Sequence, residues 1–174
     1  MKKSSRLLIL LLCAFAPFAG TAQEAYKNHI RQAMTALEKD SLAVAEGLFR
    51  QALKAEPSML SNALVYQYIG MIQERQQRYD EALESYGKGL NIAPTTVSLL
   101  LNRASLYVRL NNEKRALADY NTVLVAETDN VEALFFRAHI FTKQRLYSQA
   151  RKDYEHIIRL EPSHEKARLG LALL

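Results

Sequence analysis

The stretch ALVYQYIGMIQERQQRYDEALESYGKGLNIAPTT, residues 63–96, contains the pattern that decides the fold. Its apolar residues recur every three or four positions, which is the spacing of one face of an amphipathic helix. Two small residues, Gly70 and Ala82, precede an aromatic residue, Tyr86. Pro94 then marks the end of a helix. This order predicts two antiparallel helices that approach closely, with the ring filling the space beside the small residues.

The same order recurs in register along the chain. Aligning Pro57, Pro94 and Pro162 yields segments of 34 residues, in which we count positions from 1 to 34. The segments are residues 26–59, 63–96, 97–130 and 131–164, with 60–62 inserted after the first. Position 8 is always small, position 20 is always alanine and position 24 is always aromatic. These residues are Ala33, Gly70, Ala104 and Ala138, then Ala45, Ala82, Ala116 and Ala150, then Phe49, Tyr86, Tyr120 and Tyr154.

The repeat resembles the tetratricopeptide repeat (TPR) family over residues 26–164. Segment 63–96 is the nearest to the family pattern and segment 26–59 is the most divergent. The family's tryptophan early in the first helix is absent, and Thr128 replaces the proline of the third segment. The resemblance implies an all-α, right-handed superhelical solenoid of four helix pairs, in which the first helix of each pair lines a concave groove. Residues 165–174 would form a short C-terminal helix.

Residues 1–22 are expected to be a signal peptide. A basic start, MKKSSR, precedes an apolar run that is too short to span a bilayer as a helix, and small residues favour cleavage between Ala22 and Gln23. An uncleaved N-terminal anchor is the alternative. The chain has 23 basic residues, and removing the three in the leader leaves 20 against 18 acidic ones. We therefore expect an exported protein, periplasmic or secreted from a bacterial cell envelope. It would have no nucleic-acid partner and no membrane insertion after cleavage.

The sequence contains no pattern that indicates an enzyme. Gly87-Lys88-Gly89 is not preceded by a strand, as a phosphate loop would be, and lies within a predicted helix. The four histidines include no pair spaced i,i+4, and the mature chain would have no cysteine. No serine stands in a nucleophile-elbow context. We expect neither catalysis nor a cofactor nor a metal.

The resemblance places first-helix positions 2, 5, 9, 12 and 13 on the groove. Methionine, aromatic and polar side chains there are typical of an adaptable peptide-binding surface. Some of them could equally pack against the adjacent helix. The candidate binding residues are Met34, Gln67, Met71, Arg75, Leu101, Asn102, Ser105, Arg109, Phe135, His139 and Lys143.

Arg75, Arg109 and Lys143 all occupy position 13. They could form a basic edge suited to an acidic ligand, or simply complement the dipoles at helix C-termini, which is the interpretation we favour. Family members that clamp a chaperone's carboxylate tail use lysine, asparagine and arginine residues in the groove. Of such a set, Asn102 alone is suitably placed. Incompatible residues occupy the other places, so no such clamp is expected; they are Ile30, Met34, Glu132 and Phe136.

Positions 7 and 23 change together. Arg103 accompanies Asp119 and Arg137 accompanies Asp153, whereas the first two segments have no charge at either position. We predict that these positions face each other and form an ion pair in two repeats.

The C-terminal stretch EKARLGLALL, residues 165–174, is too apolar for a single short helix to bury completely. Possible self-association would therefore involve Leu169, Leu171, Leu173 and Leu174. Two functions remain open. One is a scaffold or adaptor that binds a protein or peptide in the groove. The other is an assembly subunit that docks through this end, either onto a partner or as a homo-oligomer.

Overall fold

The described part of the protein is helical apart from short connections. A computed structural model describes the backbone of residues 4–174 and the side chains from Gly20 onward. The described residues form nine α-helices. They are α1 (Ser4–Glu38), α2 (Leu42–Ala55), α3 (Asn62–Arg75), α4 (Tyr79–Ile92), α5 (Val97–Arg109), α6 (Glu113–Ala126), α7 (Val131–Lys143), α8 (Tyr147–Leu160) and α9 (Glu165–Ala172).

The helices pack in consecutive pairs. α1 packs on α2, α3 on α4, α5 on α6 and α7 on α8, while α9 packs on α8. Each second helix also contacts the first helix of the next pair, so neighbouring pairs stack into a solenoid. This arrangement confirms the all-α repeat architecture expected from the sequence.

The aromatic ring at position 24 is the centre of each pair. Phe49, Tyr86 and Tyr120 are fully buried, and Tyr154 is almost so. The alanine at position 20 is fully buried in every pair. At Gly70 the backbone lies directly against the ring, since an added β-carbon would be 2.5 Å from Cε1 of Tyr86. The small residues therefore bring the two helices together around a ring.

A left-handed residue makes the turn inside each pair. Asp40, Gln77, Asn111 and Arg145 all stand at position 15 and have φ between 55° and 61°. Residues other than glycine seldom adopt this conformation, because Cβ crowds the carbonyl oxygen. None of the four is glycine, so the sequence does not reveal this turn.

The predicted ion pairs are present in the last two pairs of helices. Nε and Nη2 of Arg103 donate to the carboxylate of Asp119 at 2.8 and 2.7 Å, and Arg137 binds Asp153 in the same way at 2.8 Å for each bond. Both aspartates are buried, whereas the arginines remain partly exposed. The hydrogen bonds that Arg103 donates to Asp119 raise the pKa of Arg103 against the opposing effect of burial. Covariation of two positions in the sequence therefore predicted a true contact.

The first two pairs have a different buried polar group. Glu46 accepts hydrogen bonds from Arg50 at 2.7 Å and from Gln73 at 3.2 Å, and it pairs with Arg78. Ser85 in turn donates to Gln73 at 2.7 Å. Burial of Glu46 alone would raise the pKa of its carboxyl, but the bonds from Arg50 and Arg78 outweigh burial and lower it. The sequence analysis missed this network because its members come from three helices and share no column.

The two glycines of Gly87-Lys88-Gly89 lie in the helix α4 and differ in their surroundings. Among the described residues no heavy atom lies within 4 Å of a β-carbon added at Gly87. A β-carbon at Gly89 would lie 2.9 Å from the carbonyl oxygen of Ala63 and 2.9 Å from Cδ1 of Leu99. Gly89 therefore permits close packing of α4 against its neighbours, as its column indicated.

The predicted leader remains a prediction. Residues 1–3 lie outside the described residues, and the side chains of residues 4–19 are not described either. In the searched part of the chain, no helix combines the length and the apolar character needed to cross a membrane.

Replacing Asp153 with asparagine should lower the free energy of unfolding by about 3 kcal/mol, because Arg137 then loses its buried counter-charge. Asp129→Asn is the matched control. Asp129 is an exposed partner of His156, so its loss should cost less than about 1 kcal/mol. Denaturant unfolding at neutral pH measures both changes. Equal stability of Asp153→Asn and the native protein would show that the buried pair is not stabilising.

Replacing Gly87 with alanine should stabilise the protein by roughly 1 kcal/mol, the difference in helix propensity between the two residues. Gly89→Ala should destabilise it despite the same gain in propensity, because the new methyl group meets backbone and side-chain atoms. Thermal and denaturant melts of the two variants give the comparison. A Gly87→Ala protein that melts below the native one would contradict the open surroundings of this residue.

Candidate functional site

A cavity on the groove lies between the first helices α3 and α5. It has a volume of about 430 Å³. Five of the predicted binding residues line it, namely Met71, Arg75, Asn102, Ser105 and Arg109. Glu74, Gln77 and Tyr86 complete the lining. The structure thus brings positions 9 and 13 of two successive repeats to one site.

The residue at position 6 differs between the repeats that form the groove. It lies near the position-24 ring of the preceding repeat. Tyr68 stacks on Phe49 with ring centroids 5.4 Å apart, and Phe136 stacks on Tyr120 at 5.9 Å. In the third segment, position 6 is occupied by Asn102, which lines the cavity together with Tyr86. Asn102 is smaller than either ring, and the cavity lies beside it, although Tyr86 itself remains fully buried.

Two arginines and one carboxylate dominate the charge of the cavity. Nη2 of Arg75 donates to Asp40 at 2.6 Å, and Nη1 of Arg109 donates to Glu74 at 3.3 Å. The guanidinium of Arg109 also lies over the ring of Tyr79, 5.1 Å from its centroid. Both arginine side chains are about half exposed. Their charges are therefore accessible from the groove.

Tyr86 connects the core to the cavity wall. Its hydroxyl donates to Glu74 at 3.1 Å. Burial raises the pKa of Tyr86, and the adjacent carboxylate of Glu74 raises it further, so the phenol remains protonated as a donor. In the next repeat Val108 stands at the position of Glu74, and the hydroxyl of Tyr120 has no hydrogen-bond partner among the described residues.

Other predicted residues on the groove are partly used in packing. Met34 is half-buried against the core of the first repeat, and Leu101 packs against the larger core of the later repeats. Gln67 accepts a hydrogen bond from Ser98 of the next repeat at 2.8 Å. These three residues stabilise the solenoid as well as forming its surface.

Phe135 belongs to an aromatic cluster at the last repeat. Its ring lies 5.6 Å from Phe136, 6.2 Å from Tyr154 and 5.7 Å from His164. His164 also caps α9, because its Nδ1 accepts a hydrogen bond from the backbone of Ala167 at 3.1 Å. Phe135 is half-buried, whereas His139 is exposed on the same helix.

The basic residues at position 13 make contacts that the sequence interpretation did not include. Each stands in the last turn of its helix, as the dipole interpretation requires. Each also pairs with an acid of the preceding repeat, and Lys143 meets Glu113 at 2.5 Å. The hydrogen bond from Lys143 lowers the pKa of Glu113. The column therefore links successive repeats in addition to presenting charge at the groove.

The sequence analysis did not include Glu74 and Gln77 among the groove residues, although both line the cavity. Glu74 stands at position 12, which the family pattern assigns to the groove. The available signal was an acidic residue directly beside the basic residue at position 13, Arg75. Gln77 adopts the left-handed turn conformation, which brings it to the cavity rim and which no sequence pattern announced.

The C-terminal leucines divide between the core and the surface. Leu171 and Leu174 are partly buried against the main core. Leu169 and Leu173 are 61% and 74% exposed. A β-carbon at Gly170 would lie 2.6 Å from Cζ of Tyr154, so α9 approaches this ring as closely as α3 approaches Tyr86. α9 thus occupies the place of a further first helix.

The arrangement provides hydrogen-bond donors, charge and apolar surface, which are the components of a binding site. Within the part of the chain whose side chains are described, no group of three or more histidine, cysteine, aspartate or glutamate residues could hold a metal ion.

A regular solenoid of helix pairs with this groove defines a class of helical-repeat binding proteins. Two family models, each described as tetratricopeptide repeat, match residues 63–96 and 101–155. The chain therefore belongs to the tetratricopeptide repeat family.

Particular relatives agree with this assignment. A tetratricopeptide repeat protein from Parabacteroides merdae is 33% identical, with a TM-score of 0.83 over 86% of this chain and 59% of that one. The first TPR of Spaghetti (RPAP3), solved bound to the HSP90 peptide SRMEEVD, is 31% identical. Its TM-score is 0.62, over 66% of this chain and 91% of that one.

A relative known from sequence is longer. Human RNA polymerase II-associated protein 3 is 32% identical over 145 residues, which are 81% of this chain but 22% of that protein. The chain thus spans about a fifth of the length of that relative.

Proposed function

We propose that the protein is an exported, non-enzymatic scaffold or adaptor that binds an extended segment of a partner protein in its concave groove. The observation that carries this proposal is the cavity between α3 and α5, where two successive first helices present matching groove positions. It is open and lined by donors, charges and an exposed methionine, which suits a peptide more than a compact substrate.

Two further observations support peptide binding. The Spaghetti (RPAP3) domain, which is 31% identical, was solved with a peptide bound. The groove also continues beyond the cavity through Leu101, Phe135 and His139, so that a chain several residues long has side chains to contact. A ligand extending over several repeats gains affinity from each of them without needing a deep pocket.

Site-specific photo-crosslinking tests this function in the native cell. A benzoylphenylalanine placed at Met71, which is 41% exposed on the groove, should crosslink to a partner protein. The same probe at Val125, which is 84% exposed on the second helix α6, is the matched control and should not. Equal adducts at the two positions, or adducts at Val125 alone, would contradict binding in the groove.

A probe at Leu173 in the same experiment separates the second candidate function. Leu169 on α9 and Leu173 just after it are exposed, which favours an assembly subunit that docks through its apolar C-terminal end onto a partner or another copy of itself. A crosslink at Leu173 to a second copy, with none at Met71, would favour this alternative. Adducts at Met71 alone would support the adaptor.

The proposed export predicts that the mature protein lacks residues 1–22. Protein recovered from the periplasm or medium of cells expressing the full chain should begin at Gln23, because signal peptidase cuts after small residues such as Ala22. Intact-mass and N-terminal sequence measurements identify the first residue. Replacing Ala22 with a bulky residue, as in Ala22→Tyr, should leave the precursor uncleaved. Recovery of protein that retains residues 1–22 from the native strain would contradict a cleaved leader.

A further inference from the structure

We infer that the cavity between α3 and α5 binds a single carboxylate carried by the peptide in the groove. This inference rests on the proposed function and specifies the chemistry of its ligand. The carboxylate is held by Asn102 together with Arg75 and Arg109.

The cavity occurs where the repeat departs from its own pattern. At the other junctions the position-24 ring is covered by a second ring, Tyr68 or Phe136, or by the backbone of α9 at Gly170. Asn102 replaces such a cover above Tyr86. An aromatic or glycine residue would close the junction by packing, whereas asparagine leaves space and adds polar atoms. The difference distinguishes this junction from its neighbours by chemistry as well as by shape.

The amide of Asn102 lacks a partner. Its Nδ2 is buried and makes no hydrogen bond to any described residue. A buried donor without an acceptor destabilises the unliganded protein. Because Asn102 lines the cavity, an acceptor that enters it could receive this hydrogen bond once the amide turns toward the cavity. The unpaired group therefore favours an acceptor ligand.

The surrounding charges make an anionic acceptor the favoured one. Arg75 and Arg109 each have five N–H donors, and each donates one hydrogen bond to an acidic side chain of the described residues. Glu74 is the single acid among the described residues of the lining, and it already accepts from Tyr86 and Arg109. Unused donors thus outnumber acceptors, and a carboxylate supplies two acceptor oxygens.

Met71 adds an apolar wall. It is 41% exposed and lies in the same cavity as the two arginines. A peptide that places an acidic residue between the arginines can bring a neighbouring apolar residue against this side chain. We therefore expect a ligand in which an acidic residue is adjacent to an apolar one.

This site differs from the tail clamp described for other family members. Ile30, Met34, Glu132 and Phe136 leave no set of lysines in the groove, and Glu132 would repel a second carboxylate. The cations here come from position 13 and stand over one cavity. The two arginines at this cavity therefore suit a ligand with one carboxylate.

Random seven-residue peptide arrays provide the test, with the protein purified from cells that express the full chain. One array attaches the peptides through blocked C-termini, so that a carboxylate can come only from a side chain. A second array presents free C-termini. Binders should be enriched in aspartate or glutamate beside an apolar residue. In solution, changing that glutamate to glutamine should weaken binding about tenfold. Enrichment confined to the second array would identify the tail carboxylate as the ligand.

Three variants make the assignment specific. Arg109→Gln and Asn102→Ala should each abolish the acidic preference. Lys88→Gln, which removes a charge of the same sign from the second helix α4 outside the cavity, should keep it. Thermal melts verify that each variant is folded.

The outcomes separate this inference from the function on which it rests. Binders without an acidic preference, or a preference lost equally in Lys88→Gln, would overturn the carboxylate site and leave peptide binding intact. Arrays with no binders would overturn both.

Discussion

The structure depends on one packing constraint, which is an aromatic ring held between three helices at position 24. Tyr86 is fully buried because Gly70 lets the first helix lie directly on its ring, and Ala82 keeps the same face of α4 small. Tyr154 has the same relation to Gly170 of α9, which belongs to the next repeat unit. Each ring therefore sets both the spacing within a pair and the stacking of the next pair. Larger residues at the small positions would separate helices that must touch.

The same constraint shapes the groove. The position-24 ring of one repeat lies next to the position-6 side chain of the following repeat. The size of that side chain therefore affects the space available in the groove at this junction. Phe136 stacks on Tyr120, whereas the smaller Asn102 lines a cavity together with the buried Tyr86. One residue in an otherwise regular column thus converts a packing junction into a cavity. The cavity needs no special loop or insertion, because the repeat itself supplies its walls.

The sequence predicted the features in which a residue type or a pair of charges recurs in register, and it missed the features that no recurring residue type marks. Small and aromatic columns identified the helix pairs, and two covarying positions located the Arg103–Asp119 and Arg137–Asp153 pairs. The left-handed turns at position 15 were invisible, because four different side chains occupy one backbone conformation. The Glu46 network was equally hidden, since it links residues that share no column. For the groove, the family pattern supplied the five residues of the cavity, but the ring cover that makes Asn102 exceptional required coordinates.

The ion pairs at position 13 explain how a groove can present charge and still remain stable without a ligand. Asp40 and Glu74 of preceding repeats neutralise Arg75 and Arg109 when the cavity is free. Exposed pairs of this kind contribute no more than about 1 kcal/mol, so an incoming carboxylate can replace or share them at little cost. The buried amide of Asn102 has no such substitute among the described residues. Charge therefore attracts the ligand, while the amide provides the hydrogen bond that the unliganded protein lacks.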